Sequence, residues 1–186
     1  MSRYSAVLDT SVLVPIALAD TLLRLAEREL YRPLWSDEIL AELEEAIVEV
    51  HPDIDTQAVQ RRIGSMRLTF EDACIVGWES ISVTGPLPDP GDAHVIAAAI
   101  RGRADAIVTA NTRHFPPEAL KGFDIVAITP DDFLLDQLDL APRIVVGAIQ
   151  ELAAHTSNPP LEVIDVLVRL ERSGAPSFAD EVRRLI

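Results

Sequence analysis

The sequence predicts an α/β fold: a Rossmann-like, mainly parallel sheet flanked by helices over residues 1–130, followed by an all-helical extension over residues 131–186. Three observations predict it. Short apolar runs near residues 4–8, 34–35, 106–108 and 124–128 alternate with segments of helical periodicity, the pattern of βα units. Three of these runs stop at polar residues: Asp9, Ser36, and Thr109 with Asn111. In open parallel sheets the carboxyl ends of strands are where sites form. Beyond Pro130 only helical patterns remain.

In chain order, residues 4–8 read as a buried strand that delivers Asp9 at its carboxyl end. The spacing predicts a helix from about residue 11 to residue 30, with Leu22, Leu25, Ala26 and Leu30 on one face and Pro33 closing it. Leu34 and Trp35 form a brief strand. Ser36 caps a second helix, with Asp37 and Glu38 in its first turn, where the dipole favours anions. Its apolar face is Ile39, Leu40, Leu43, Ile47 and Val50, and His51-Pro52 ends it. Asp55 caps a third helix reaching toward Leu68, while residues 69–85 show no clean period. The turn at residues 86–92 opens a helix running to Arg101, with Asp89 as N-cap and Pro90 at the first helical position. Strands follow at 106–108 and 124–128. In the extension, helices are expected over 131–138, 142–155, 161–172 and 177–185, punctuated by Asn158-Pro159-Pro160 and by residues 173–176.

The composition excludes several function classes. Thirty acidic against 16 basic side chains give a net charge of −14. A generally basic nucleic-acid-binding surface is therefore excluded; contact with a polyanion requires a local basic stripe or a bound cation. The single cysteine, Cys74, rules out an intramolecular disulfide framework and a cysteine-rich zinc site. Asp9, Asp20 and Arg24 interrupt the most apolar early stretch, so neither a membrane span nor a signal peptide is expected, and a cytoplasmic location is.

Three acids stand out by position. Asp9 follows a buried strand. Asp92 starts a helix whose other early residues, Val95, Ile96, Ala99 and Ile100, are apolar. Glu42 borders the apolar face of the second helix. If they converge with no Lys or Arg beside them, these carboxylates repel one another unless a hard cation sits among them. Oxygen-only donors suit Mg²⁺ or Mn²⁺, and a cation so held supports phosphodiester hydrolysis. Singly, each acid has a bland alternative as turn residue, first-turn acid or solvated helix acid. Asp89 is read as a cap rather than a ligand.

Four segments, in order, resemble the motifs of the PIN-domain family. Residues 6–13, around Asp9-Thr10-Ser11, look like its opening. Residues 36–43, from Ser36 to Glu42-Leu43, resemble the second motif. Residues 87–99, around Asp89-Pro90-Gly91-Asp92-Ala93, resemble the third, and residues 104–116, around Thr109-Ala110-Asn111, the fourth. The tail resembles the helical extension of a PIN subgroup related to VapC toxins. The resemblance implies a PIN-like nuclease domain over residues 1–130 and a helical C-terminal extension over 131–186. It also implies a Mg²⁺- or Mn²⁺-dependent ribonuclease, the toxin of a type II pair neutralised by a cognate antitoxin, with RNA as substrate; a homodimer is compatible with it. Carried over by motif, the metal-binding acids are Asp9, Glu42 and Asp92. Asn111 stands where family members often have a further acid. It can still reach a water or a phosphate oxygen, so it joins the three acids as a catalytic candidate, but it adds no charge and leaves one or two metals open. His114 is read as a surface or capping histidine. Thr10, Ser11 and Thr109 could supply supporting hydroxyls.

Fifteen of the 16 basic residues are arginines. Arg24, Arg28 and Arg32 repeat at four-residue spacing on the expected first helix; Arg61, Arg62 and Arg67 form a second group and Arg101, Arg103 and Arg113 a third. These contact RNA, or an acidic antitoxin segment, or are solvated. A haloacid-dehalogenase-type phosphatase needs an acid where Ser11 stands, and a receiver domain needs adjacent early acids and a later strand-end lysine. The remaining rival is a PIN-fold RNA- or protein-binding module without cleavage activity.

Overall fold

The computed structural model describes residues 4–83, 85–156 and 160–186. Its first strand, β1 (Ser5–Leu8), is buried at every position. Helices α1 (Thr10–Leu13) and α2 (Ile16–Glu27) lead to β2 (Arg32–Ser36), and α3 (Asp37–Val50) and α4 (Thr56–Thr69) lead to β3 (Cys74–Ile75). Helix α5 (Ala93–Gly102) precedes β4 (Ala106–Val108), and α6 (Pro117–Leu120) precedes β5 (Val126–Ile128). From there the chain is helical: α7 (Pro130–Leu140), α8 (Pro142–His155), α9 (Val163–Arg172) and α10 (Pro176–Leu185).

The five strands form one parallel sheet in the order β3-β2-β1-β4-β5. The chain builds outward from β1 to β3, then crosses back to place β4 on the other side of β1. That reversal makes the gap between β1 and β4 the topological switch point, where ligands of open α/β sheets bind. The register there is pinned at both ends. The Ser5 backbone N–H donates to the Asp105 carboxylate at 2.7 Å, and the Asp9 N–H donates to the Val108 carbonyl at 3.1 Å. Asp9 and Thr109 therefore leave adjacent strands side by side.

Side-chain caps start α3 and α4. Ser36 accepts from the Ile39 N–H and Asp55 from the Gln57 N–H, as their N-cap positions predict. Helix α5 packs across β1 to β4. Gly102 permits this close approach: a Cβ there would stand 2.9 Å from Ile75 Cδ1 and 3.1 Å from Leu34 Cδ1. Helices α8 and α9 pack on α2, and the Tyr31 and Phe133 rings meet edge-to-face at 4.8 Å, so the helical extension shares its core with the sheet region.

Several expectations needed correction. The single helix expected over residues 11–30 is two, because Pro15 cannot donate its missing N–H and the chain re-enters a helix only at Ile16. It ends at Glu27, and Glu29 adopts a left-handed φ of 62°. Pro33 does not close a helix; it lies inside β2, paired with Ala6. Arg32 is therefore a strand residue, and the four-residue arginine stripe does not exist. Asp89 is the N-cap as expected, its Oδ1 accepting from the Gly91 N–H at 2.8 Å, with Pro90 at the first position, but the turn it opens is 3-10 (Pro90–Asp92) and α5 proper begins at Ala93. Strand β3, the turn Trp78–Ser80 and helix α6 carried no clear periodicity. Strand β5 begins two residues later than expected, since Asp124 has a φ of 54°. Asn158 and Pro159, two of the residues expected to break the helices of the extension, lie outside the described residues.

Candidate metal centre

Asp9 is 9% exposed at the carboxyl end of β1. Its Oδ2 accepts from the Ser11 hydroxyl at 2.6 Å and from the Thr109 hydroxyl at 2.8 Å. Each hydroxyl has one proton to give, and both are given to Asp9. The two hydroxyl oxygens are then free to accept, and they do: Ser11 Oγ from the Ala110 N–H at 3.0 Å, Thr109 Oγ1 from the Asn111 N–H at 3.0 Å. A negative charge thus fixes two hydroxyls, and these fix the turn after β4. Among the described residues, the partners of Asp9 are hydroxyls and no cationic side chain.

Glu42 is carried toward this edge by α3. Thr10 Oγ1, next to Asp9, donates to Glu42 Oε2 at 3.1 Å, while Oε1 lies 2.9 Å from His94 Nε2. Asp92 ends the turn before α5, and its Oδ2 lies 2.9 Å from His114 Nδ1. Its pKa is raised, first by burial and further by the charges of Asp89 and Asp9, against a lowering contribution from His114. The charge of Asp9 is therefore felt at Asp92. Asn111 is exposed just before the 3-10 turn Thr112–His114, and its side chain makes no capping bond.

The structure thus brings Asp9, Glu42, Asp92 and Asn111 to the same end of the sheet. Among the described residues, however, no group of three His, Cys, Asp or Glu side chains is drawn together closely enough to hold a metal ion. Two of the three acids are instead engaged by histidines. His114 was expected at the surface or as a cap; it stands against Asp92 because the 3-10 turn after β4 folds back toward α5. His94 carried no signal beyond its place two residues after Asp92. The donor set still suits a hard divalent cation: carboxylates and hydroxyls, with the only thiol, Cys74, bonded to Asp37 on β3's side of the sheet. Burial raises the pKa of Asp92 first and the charges of Asp89 and Asp9 add to it; a bound cation would offset both effects by stabilising the ionised form.

The arginine groups divide. Arg28 pairs with Glu151, Arg61 with Asp55 and Arg67 with Asp37, and Arg62 donates to the Leu13 carbonyl at 2.7 Å, so these serve the fold. Arg113 is exposed beside His114. No helix among the described residues is long and apolar enough to cross a membrane.

Comparison with known proteins agrees with this architecture. Residues 5–113 match the family described as PIN domain, and residues 130–184 match the VapC50 C-terminal domain. A 94-residue segment is 46% identical to "Putative ribonuclease VapC50" of Mycobacterium tuberculosis (strain ATCC 25618 / H37Rv), covering 50% of this chain and 55% of that protein. The chain thus spans about half the length of the curated relative it matches. No solved structure matches significantly. With its parallel sheet and its trailing helices, the chain belongs to the PIN domain family, to the VapC type that carries a C-terminal extension.

Proposed function

We propose that this protein is a Mg²⁺- or Mn²⁺-dependent endoribonuclease and the toxin of a type II toxin–antitoxin pair. In this reading it acts on RNA in the cytoplasm and is neutralised by a cognate antitoxin. Asp9, Glu42 and Asp92 hold the metal, and Asn111 faces the substrate beside them. The observation that carries the reading is geometric: Thr10, next to Asp9, donates to Glu42 at 3.1 Å, and Thr109 of β4 donates to Asp9 at 2.8 Å, so α3 and β4 are both tied to the strand end that carries Asp9. The printed name of the VapC50 relative supports the substrate class.

The chemistry such a cation supplies when bound is polarisation of a phosphodiester and easier deprotonation of water. The chain's own residues prepare the place. Ser11 and Thr109 hold one oxygen of Asp9 and leave Oδ1 without a partner among the described residues. His114 does the same for Asp92 through Oδ2. Asn111, held at its backbone by Thr109, offers an amide to a phosphate oxygen without adding charge. Exposed Arg113 supplies a cation next to it in an otherwise acidic protein.

The test uses protein free of antitoxin, incubated with a broad RNA pool in Mn²⁺ and in EDTA. Cleavage with Mn²⁺, loss in EDTA and loss in Asp92→Asn are the expected results. Cleavage that survives EDTA defeats the reading. The uncharged Asn111 favours one rival, a PIN-fold module that binds RNA or protein without cutting. Under it the wild type leaves every RNA intact, and Asp9→Asn leaves RNA binding unchanged.

A further inference from the structure

Each candidate metal carboxylate has one or both oxygens occupied by a partner that reaches it from a different segment of the chain. Asp9 is held by hydroxyls. Asp92 and Glu42 are held by histidines, His114 from the turn after β4 and His94 from the first turn of α5. The two rings are not loose. His94 has an 11% exposed side chain, and its ring centroid lies 5.9 Å from that of Trp78. Its Nδ1 is buried without a hydrogen-bond partner. An unmatched buried N–H costs more than an unmatched lone pair, so the ring proton belongs on Nε2, where it is donated to Glu42. His114 is anchored through its backbone: its N–H donates to the Asn111 carbonyl at 2.9 Å, closing the turn.

We infer that His94 and His114 are positioning residues that orient Glu42 and Asp92 for the divalent cation by hydrogen-bonding one oxygen of each carboxylate. The inference rests on the metal-site reading above and deepens it. A ligand carboxylate free to rotate loses entropy on binding a cation; one already hydrogen-bonded presents its second oxygen in a set direction. Asp92 is arranged in this way, with Oδ2 taken by His114 and Oδ1 unengaged among the described residues. At Glu42 both oxygens are engaged, by His94 at 2.9 Å and Thr10 at 3.1 Å. The Thr10 contact is the longer, and its hydroxyl also has the Ile39 carbonyl within 3.3 Å as an alternative acceptor, so it is the one that yields to the cation, and His94 stays in place.

The experiment is Mn²⁺ titration of the full chain by calorimetry, with thermal melting alongside. His94→Ala and His114→Ala are each expected to weaken Mn²⁺ binding by roughly 10- to 100-fold. His94→Gln and His114→Asn, whose amides place an N–H near the positions of Nε2 and Nδ1 respectively, should recover most of that loss. These amide variants also keep the test valid if an alanine variant fails to fold. Alanine variants that melt like the wild type and bind Mn²⁺ as tightly, or more tightly, overturn the inference; tighter binding would mean that the histidines compete with the metal. Asp9→Asn separates the two levels. Wild-type binding that depends on Asp9 but ignores both histidines defeats the positioning role alone. Absent or Asp9-independent Mn²⁺ binding defeats the metal-site reading and this inference with it.

Discussion

Thr109 donates its hydroxyl to Asp9 at 2.8 Å across 100 residues of chain, joining the carboxyl ends of β1 and β4 where the sheet changes direction. The bond is buried, with Thr109 inaccessible to solvent, and its acceptor is a carboxylate. Thr109→Val keeps the shape and removes the donor. Hydrogen bonds to charged groups contribute about 2 kcal/mol, so the variant should melt several degrees lower and bind Mn²⁺ more weakly. An unchanged melt and an unchanged Mn²⁺ isotherm would show that Ser11 alone suffices.

Asp92→Asn should abolish RNA cleavage without lowering stability at neutral pH. The pKa of Asp92 is raised in the folded protein. The folded state therefore favours the protonated form, and the ionised form carries a penalty at neutral pH. The stability linked to this group is present below the ordinary carboxyl range and lost as pH rises through its folded value. The asparagine avoids the penalty, so its melting temperature should equal or exceed that of the wild type near pH 7. The difference should shrink as pH falls through the carboxyl range. Thermal melts across that range check the sign, and a variant that loses stability and activity together would indicate misfolding instead.

Ser36 is fully buried and caps the helix that carries Glu42, accepting from the Ile39 N–H at 3.2 Å. Ser36→Ala should cost about 1 kcal/mol. In a chain of this size that is a fall of roughly 2–4 °C in melting temperature. Since the cap sets how α3 leaves β2, Mn²⁺ affinity should fall as well. A stability loss with unchanged affinity would separate the cap from the site.

We propose that residues 131–186 form a helical appendage without a catalytic group. Leu18, Leu22 and Leu25 of α2 are fully buried, and α8 and α9 pack on that helix. A chain ending at Pro130 should therefore aggregate or bind a hydrophobic dye. Within the full chain, Asp165→Asn keeps the capping geometry toward the Glu162 N–H, and Glu171→Gln removes the charge that pairs with Arg183. Both variants should keep nuclease activity within about twofold. Loss of activity in a folded Asp165 or Glu171 variant would place chemistry in the extension.

Alternation of apolar runs with helical periods, capping residues at Ser36, Asp55 and Asp89, and polar strand ends at Asp9 and Thr109 are all local signals. They were legible in the sequence, as were the positions of Asp9 after β1 and of Asp92 at the start of α5. What escaped was whatever depends on contacts distant along the chain. The expected helix ran straight through Pro15 and was closed at Pro33. Only packing decided that the first breaks a helix while the second sits in β2 opposite Ala6. Strand β3 is two residues long, too short for any period to show, and exists because β2 offers it a partner. The arginine stripe dissolved when Glu29 turned the chain through a left-handed φ. The pairing of His94 with Glu42 and of His114 with Asp92 joins residues 52 and 22 positions apart. No periodicity encodes such pairs. A side chain's hydrogen-bond partner is set by which segments the folded sheet brings together, so sequence alone named the carboxylates, and tertiary structure alone showed what holds them.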